Sequence, residues 1–136
     1  MEMRILNREI KFRIWDIENK EMLEVQELDF EPTFYGGRIA IRPDQYNDYF
    51  NTEDMILMQY TGLHDKNGKE IYEGDIVGID YLSYIVTGVV TYSTKDAMYI
   101  LTNTNSIADE NEPLGDYKNL EVIGNTYDNP ELLGGE

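Results

Sequence analysis

A chain of 136 residues with 41% hydrophobic and 12% aromatic side chains is long enough to bury a core as one domain and too rich in aromatics for wholesale disorder. The absence of cysteine excludes disulfides, thiolate nucleophiles and thiolate metal sites, and suits a reducing compartment. The net charge of −16, from 27 acidic and 11 basic residues, works against polyanions, because Lys and Arg contacts to phosphate supply most non-specific nucleic-acid affinity.

The charge is unevenly spread. Between Arg4 and Arg13 four bases (Arg4, Arg8, Lys11 and Arg13) stand against Glu9 alone, while Lys20 is the one base between Asp16 and Glu31 and Lys118 the one base after Leu101. Solubility is the simplest use of such acidity. No apolar run approaches the roughly 18 residues that span a bilayer. The start MEMRILNREIKFRIW carries no apolar signal-peptide core, so the expected location is the cytoplasm.

Period-two alternation runs through most of the chain. In residues 10–15, Ile10, Phe12 and Ile14 share one strand face and Lys11, Arg13 and Trp15 the other. Residues 16–21 read as a turn and Met22 to Phe30 as a returning strand, although the spacing of Glu18, Glu21 and Glu24 also suits a helix; Pro32 ends it. TFYGGRIAIR predicts a strand entered through a kink at Gly36-Gly37. Residues 43–54 form a polar loop with room for one helical turn, on which Tyr46, Tyr49 and Phe50 would share a side and pin the loop to the body. MILMQY is continuously apolar, as a strand buried on both faces would be.

The stretch YTGLHDKNGKEIYEGDIV holds a lone histidine and a cluster of charges. A two-residue turn at Asn67-Gly68 would set Lys66 against Lys69 and Asp65 against Glu70, both unfavourable. A type I turn over residues 65–68 with a left-handed Gly68 instead sets Asp65 opposite Lys69, His64 opposite Glu70 and Leu63 opposite Ile71. The charges are thereby accounted for by a hairpin, and the spacing does not fit a calcium loop. Residues 73–75 turn into a strand with Val77, Ile79 and Tyr81 on one side. YIVTGVVTY follows, with Gly88 as a point where the strand could switch sheets. Residues 93–96 turn into AMYILT; NSIADENEPLGD is a polar loop expected to be mobile; LEVIGNTY is the last strand, stopped by Pro130.

Reactive constellations are missing. One histidine excludes a multi-histidine metal site, and Ser83, Ser93 and Ser106 lie in no nucleophile elbow that could use His64. There is no phosphate loop and no dinucleotide fingerprint. Asp109, Glu110, Glu112 and Asp116 could hold a hard cation weakly, but a solvated loop is the better reading. No enzymatic activity, cofactor or metal is expected.

The segments REIKFRIWD (8–16), MQYTGLHDKNGKEIYEGDIV (58–77) and LEVIGNTYDNPELL (120–133) resemble the YopX family of small phage and prophage proteins. That resemblance implies a cytoplasmic protein of a bacterial host with a largely β-barrel fold, no established activity and no catalytic residues. The order EGDIV, GVV, YIL, LEVIGN is also similar to the strand sequence of an SH3-like barrel. The expected architecture is therefore mostly β: a single domain over 1–136, with a small, partly open SH3-like barrel over roughly 55–127 and an added N-terminal hairpin. Arg13, Trp15, Tyr60 and His64 are the motif residues with aromatic or polar chemistry to spare, and form the candidate binding surface. The leading expectation is a non-catalytic module that binds an unknown protein partner or itself. The alternative is an acidic mimic of DNA that occupies a host nucleic-acid-binding protein, and a small-molecule or metal-dependent enzyme ranks third. Direct nucleic-acid binding and a membrane location are not expected.

Overall fold

The computed structural model describes residues 8–31, 39–81, 84–103 and 113–134. Among them every strand pairing is antiparallel, and the only helical pieces are single 3-10 turns. The fold is mostly β, as the alternation predicts. Internal contacts divide the chain into two compact units, residues 1–59 and 60–136.

In the first unit, β1 (Phe12–Asp16), β2 (Glu21–Asp29), β3 (Ala40–Pro43), β4 (Phe50–Asn51) and the opening half of β5 (Met55–His64) lie in the order β4-β3-β2-β1-β5. Central β1 is covered on both faces at its end, so Ile14 and Trp15 are both buried, whereas Ile10 precedes the strand and is exposed. Asp16 organises the first turn. Its carboxylate accepts the backbone N–H of Glu18 (3.1 Å) and Asn19 (3.2 Å), and Lys20 takes a left-handed φ of 57°. A bulge between Val25 and Glu27 breaks the alternation of β2, which lets Leu23, Val25 and Leu28 all pack on the core of Ile14, Ile41 and Met55. The helical turn expected within residues 43–54 falls after the aromatics, at Thr52–Asp54, because Phe50 is drawn into β4 opposite Ile41. Tyr46 still packs edge-on against Phe50, with ring centroids 5.6 Å apart. The kink expected at Gly36-Gly37 and the role given to Pro32 lie outside the described residues.

Past Gln59, β5 continues into the second unit and pairs with β6 (Glu70–Tyr72). The remaining strands, β7 (Asp75–Tyr81), β8 (Tyr84–Ser93), β9 (Met98–Asn103) and β10 (Glu121–Asn125), form a sheet in the order β10-β7-β8-β9. Its inner face supplies the core of Val77, Ile79, Val90 and Leu101, joined by Ile71, Leu114 and Leu120. The sheet is open, with β10 and β9 at its edges, so the expected partly open barrel does not close. Gly88 does not bend the chain into a second sheet either. It pairs with Val77 on one side and Asn103 on the other within a continuous β8. Its lack of a side chain answers a close approach, since a Cβ there would lie 2.7 Å from Leu101 Cγ. The turn after Ser93 is as expected. The last strand, however, ends at Asn125, where the Asn125 side chain closes a turn, and is not stopped by Pro130, which instead opens a 3-10 turn at Pro130–Leu133. Residues 104–112 lie outside the described residues, and with them most of the polar loop and three of its acids. Its end, expected to be part of a mobile loop, forms a 3-10 turn at Leu114–Asp116 with Leu114 buried in the core.

Candidate functional site

The hairpin at residues 65–68 forms with the expected left-handed Gly68 (φ 85°), and Gly68 N–H donates to the Asp65 carbonyl at 2.9 Å. His64 stands opposite Glu70 as predicted. Leu63 does not stand opposite Ile71. Gly62, at φ 90°, lies in a bulge between Tyr60 and His64, and the Thr61 hydroxyl donates to the Ile71 carbonyl at 2.7 Å.

Asp65 does more than open that turn. One carboxylate oxygen accepts the N–H groups of Asn67 and Lys69, each at 2.8 Å, and the other accepts the Val122 N–H at 2.9 Å. Burial raises its pKa, but these three backbone donors and the nearby Lys69 outweigh that and hold it below the usual carboxylate value. Lys66 N–H donates to the Leu120 carbonyl (2.8 Å), and Thr126 N–H donates to the Gly74 carbonyl (2.9 Å). The central and C-terminal motifs are therefore stitched together at both ends of β10. Asp75, also buried, accepts the Tyr72 N–H at 2.8 Å across the next turn. The side-chain oxygen of Asn125 accepts the N–H groups of Tyr127 (3.0 Å) and Asp128 (2.8 Å). Sequence spacing alone gave no sign of the bond from Asp65 to Val122, because 57 residues separate the partners.

Of the four candidate binding residues, Tyr60 and His64 are brought together. Their rings pack edge-on at 5.9 Å, with the hydroxyl 3.4 Å from either imidazole nitrogen. Tyr72 completes the group at 5.5 Å from Tyr60. Tyr60 and Tyr72 are buried, and His64 alone of the three is exposed. Arg13 and Trp15 project from one face of β1 in the first unit, half-buried and buried respectively. Of the serines considered as nucleophiles, Ser93 is held in its own turn, where its hydroxyl donates to Asp96 and accepts the Asp96 N–H. In the first unit an exposed network not foreseen from the sequence joins Glu27 to Arg42 (2.9 Å) and to the Tyr49 hydroxyl. The hydrogen bond from Arg42, then that from Tyr49, lowers the Glu27 pKa.

The outer face of the second unit's sheet carries a different feature. Ile85 and Ile123 are 61% and 39% exposed, and they flank Gly78 so closely that a Cβ there would lie 3.3 Å from one Ile methyl and 3.8 Å from the other. Asp80, Glu121 and Lys66 rim the resulting recess of about 40 Å³. Pockets that enclose a metabolite run to several hundred Å³, so this one can seat only the tip or stem of a side chain. Among the described residues no group of three or more His, Asp or Glu is placed to hold a metal ion, and no helix is long and apolar enough to cross a membrane.

Fold and site together define a small, all-antiparallel β protein whose buried acids stabilise turns and whose outer sheet face is partly apolar. The chain belongs to the YopX family: the family model described as YopX protein matches residues 11–134. It is similar to the crystal structure of protein EF1440 from Enterococcus faecalis, with 28% identity and a TM-score of 0.62 over 93% of this chain and 99% of that one. It shares the fold of the crystal structure of yopX from Bacillus subtilis, with 24% identity and a TM-score of 0.62 over 93% of this chain and 97% of the other. No curated protein matches the chain.

Proposed function

We propose that this protein is a non-catalytic phage or prophage accessory protein that acts in the bacterial cytoplasm by binding another protein. The observation that carries this reading is the use of its buried acids. Asp16, Asp65 and Asp75 each accept backbone N–H groups that close turns, so their lone pairs stabilise the fold and are not poised for proton transfer. Among the described residues, the outer sheet face of the second unit exposes an isoleucine pair beside Gly78. An apolar centre with a charged rim is the composition of a protein interface. The test is affinity capture from phage-infected cells, followed by reconstitution with the purified partner and light scattering of the protein alone. A complex that re-forms from two purified components supports the reading. A strict monomer that re-forms no complex overturns it.

The net charge of −16 favours one further reading, an acidic mimic of DNA that occupies a host nucleic-acid-binding protein. Such a contact weakens steeply with salt, as polyelectrolyte contacts do. Partner affinity unchanged between low and moderate ionic strength rules it out.

A further inference from the structure

We infer that the outer face around Gly78 docks a basic segment of a partner protein, with a Lys or Arg stem laid across Ile85 and Ile123 and its cationic head at Asp80 and Glu121. This rests on the binding reading above and adds where and what the protein binds. Three observations lead to it. The first is shape: with no side chain at Gly78, the two isoleucine methyls wall a recess of about 40 Å³, room for the methylenes of one long side chain. Lys and Arg bury such stems on apolar surface while keeping the charge at a polar rim.

The second is that both edges of the sheet already carry contacts. On β10, Val122 N–H is taken by Asp65 and the adjoining Leu120 carbonyl by Lys66 N–H; on β9, Ile100 bridges to Pro113. Addition of a partner strand at an edge would have to displace these contacts, so the face is the more accessible surface.

The third is charge. A second copy would bring a further −16 to a rim that already holds Asp80 and Glu121, whereas a basic segment neutralises it. Lys66 lies 3.5 Å from Glu121, with both side chains more than two-fifths exposed, so an incoming cation can replace it at little cost.

The experiment uses acetylated, amidated hexalysine as the probe, at about 0.1 M salt to screen distant charge. Amide chemical shifts of the full chain are followed for wild type, Ile85→Thr/Ile123→Thr and Asp80→Asn/Glu121→Gln. Threonine keeps the β-branched shape that strands favour, and a retained amide spectrum verifies the fold. Shift changes should concentrate at Gly78, Asp80, Ile85 and Ile123, and affinity should fall about tenfold in the threonine variant, which removes apolar stem contacts and no charge. The neutralised variant should also bind more weakly. Shifts scattered over the acidic surface, with the threonine variant binding as well as wild type, overturn the proposal. So does a dimer of the wild-type chain that the threonine variant cannot form, which gives the face to a second copy. Equal binding of a purified partner by wild type and threonine variant overturns this surface while leaving the binding role intact.

Discussion

Asp65 shows how much one side chain can hold together. It is 8% exposed and accepts three backbone N–H bonds, two within its own turn and one from Val122 on β10. Replacement by alanine strands those donors, and hydrogen bonds to a charged acceptor are worth about 1.5–3 kcal/mol each in the folded state. Bonds sharing one carboxylate do not add fully, so Asp65→Ala is expected to lose about 3 kcal/mol by urea denaturation. The same carboxylate should leave a signature in pH. Its folded pKa is depressed, so its contribution is present in full above the unfolded value of about 3.9 and disappears as pH falls through the lower folded value. The stability gap between wild type and Asp65→Asn should therefore be level from about pH 7 to 5 and narrow below about pH 4. A gap that widens on acidification contradicts the assignment. Asp65 was legible in the sequence as the first residue of a type I turn. Its hold on Val122 was not, because local patterns carry no information about a partner 57 residues away.

At the scale of strands and turns, two glycines are set by neighbours and not by backbone angle. A Cβ on Gly88 would meet Leu101 Cγ at 2.7 Å and the Thr102 carbonyl oxygen at 3.1 Å. Since Leu101 is buried in the core, Gly88→Ala should cost about 1–3 kcal/mol by overpacking, read as a lower urea midpoint at unchanged slope. A Cβ on Gly124 would meet Asn129 Oδ1 at 2.6 Å and Leu132 Cδ1 at 2.9 Å. Gly124→Ala should instead loosen the segment after β10, seen as faster amide exchange at Asn129 and Leu132 with the amides of β8 still protected. Equal loss of protection in both places would show that the segment is no separate element. The sequence marks Gly88 as special but suggests a sheet switch, because a glycine within a strand signals either a bend or a close approach and only the neighbour across the ladder decides. The spacing of Glu18, Glu21 and Glu24 also suited a helix, but Glu21 and Glu24 lie in β2, paired with Asp16 and Arg13. Leu23, Val25 and Leu28 follow neither period cleanly, since the register slips between Val25 and Glu27. Continuous strands such as β7 were readable from their alternation, and how far the sheets would close was not, because closure depends on which edges find partners.

For the molecule as a whole, the −16 charge sets the balance between attraction and repulsion. The ion pairs Lys11–Glu9, Arg42–Glu27 and Lys66–Glu121 sit at the surface, where pairing contributes little to stability. Against them stands an excess of 16 acids over bases in the chain, so at long range repulsion between carboxylates outweighs attraction. Screening weakens both effects, and the more numerous repulsions should lose more. Raising sodium chloride from about 0.01 M to 0.5 M shortens the screening length from about 30 Å to about 4 Å. The thermal midpoint should rise by several degrees across that range, measured by calorimetry at neutral pH. The same salt should weaken hexalysine binding at the Gly78 face, because that contact pairs opposite charges. Stability and affinity should therefore move in opposite directions along one salt axis. A midpoint that falls with salt would mean that the surface ion pairs outweigh the acid excess, and the charge argument for a basic partner would lose its footing with it.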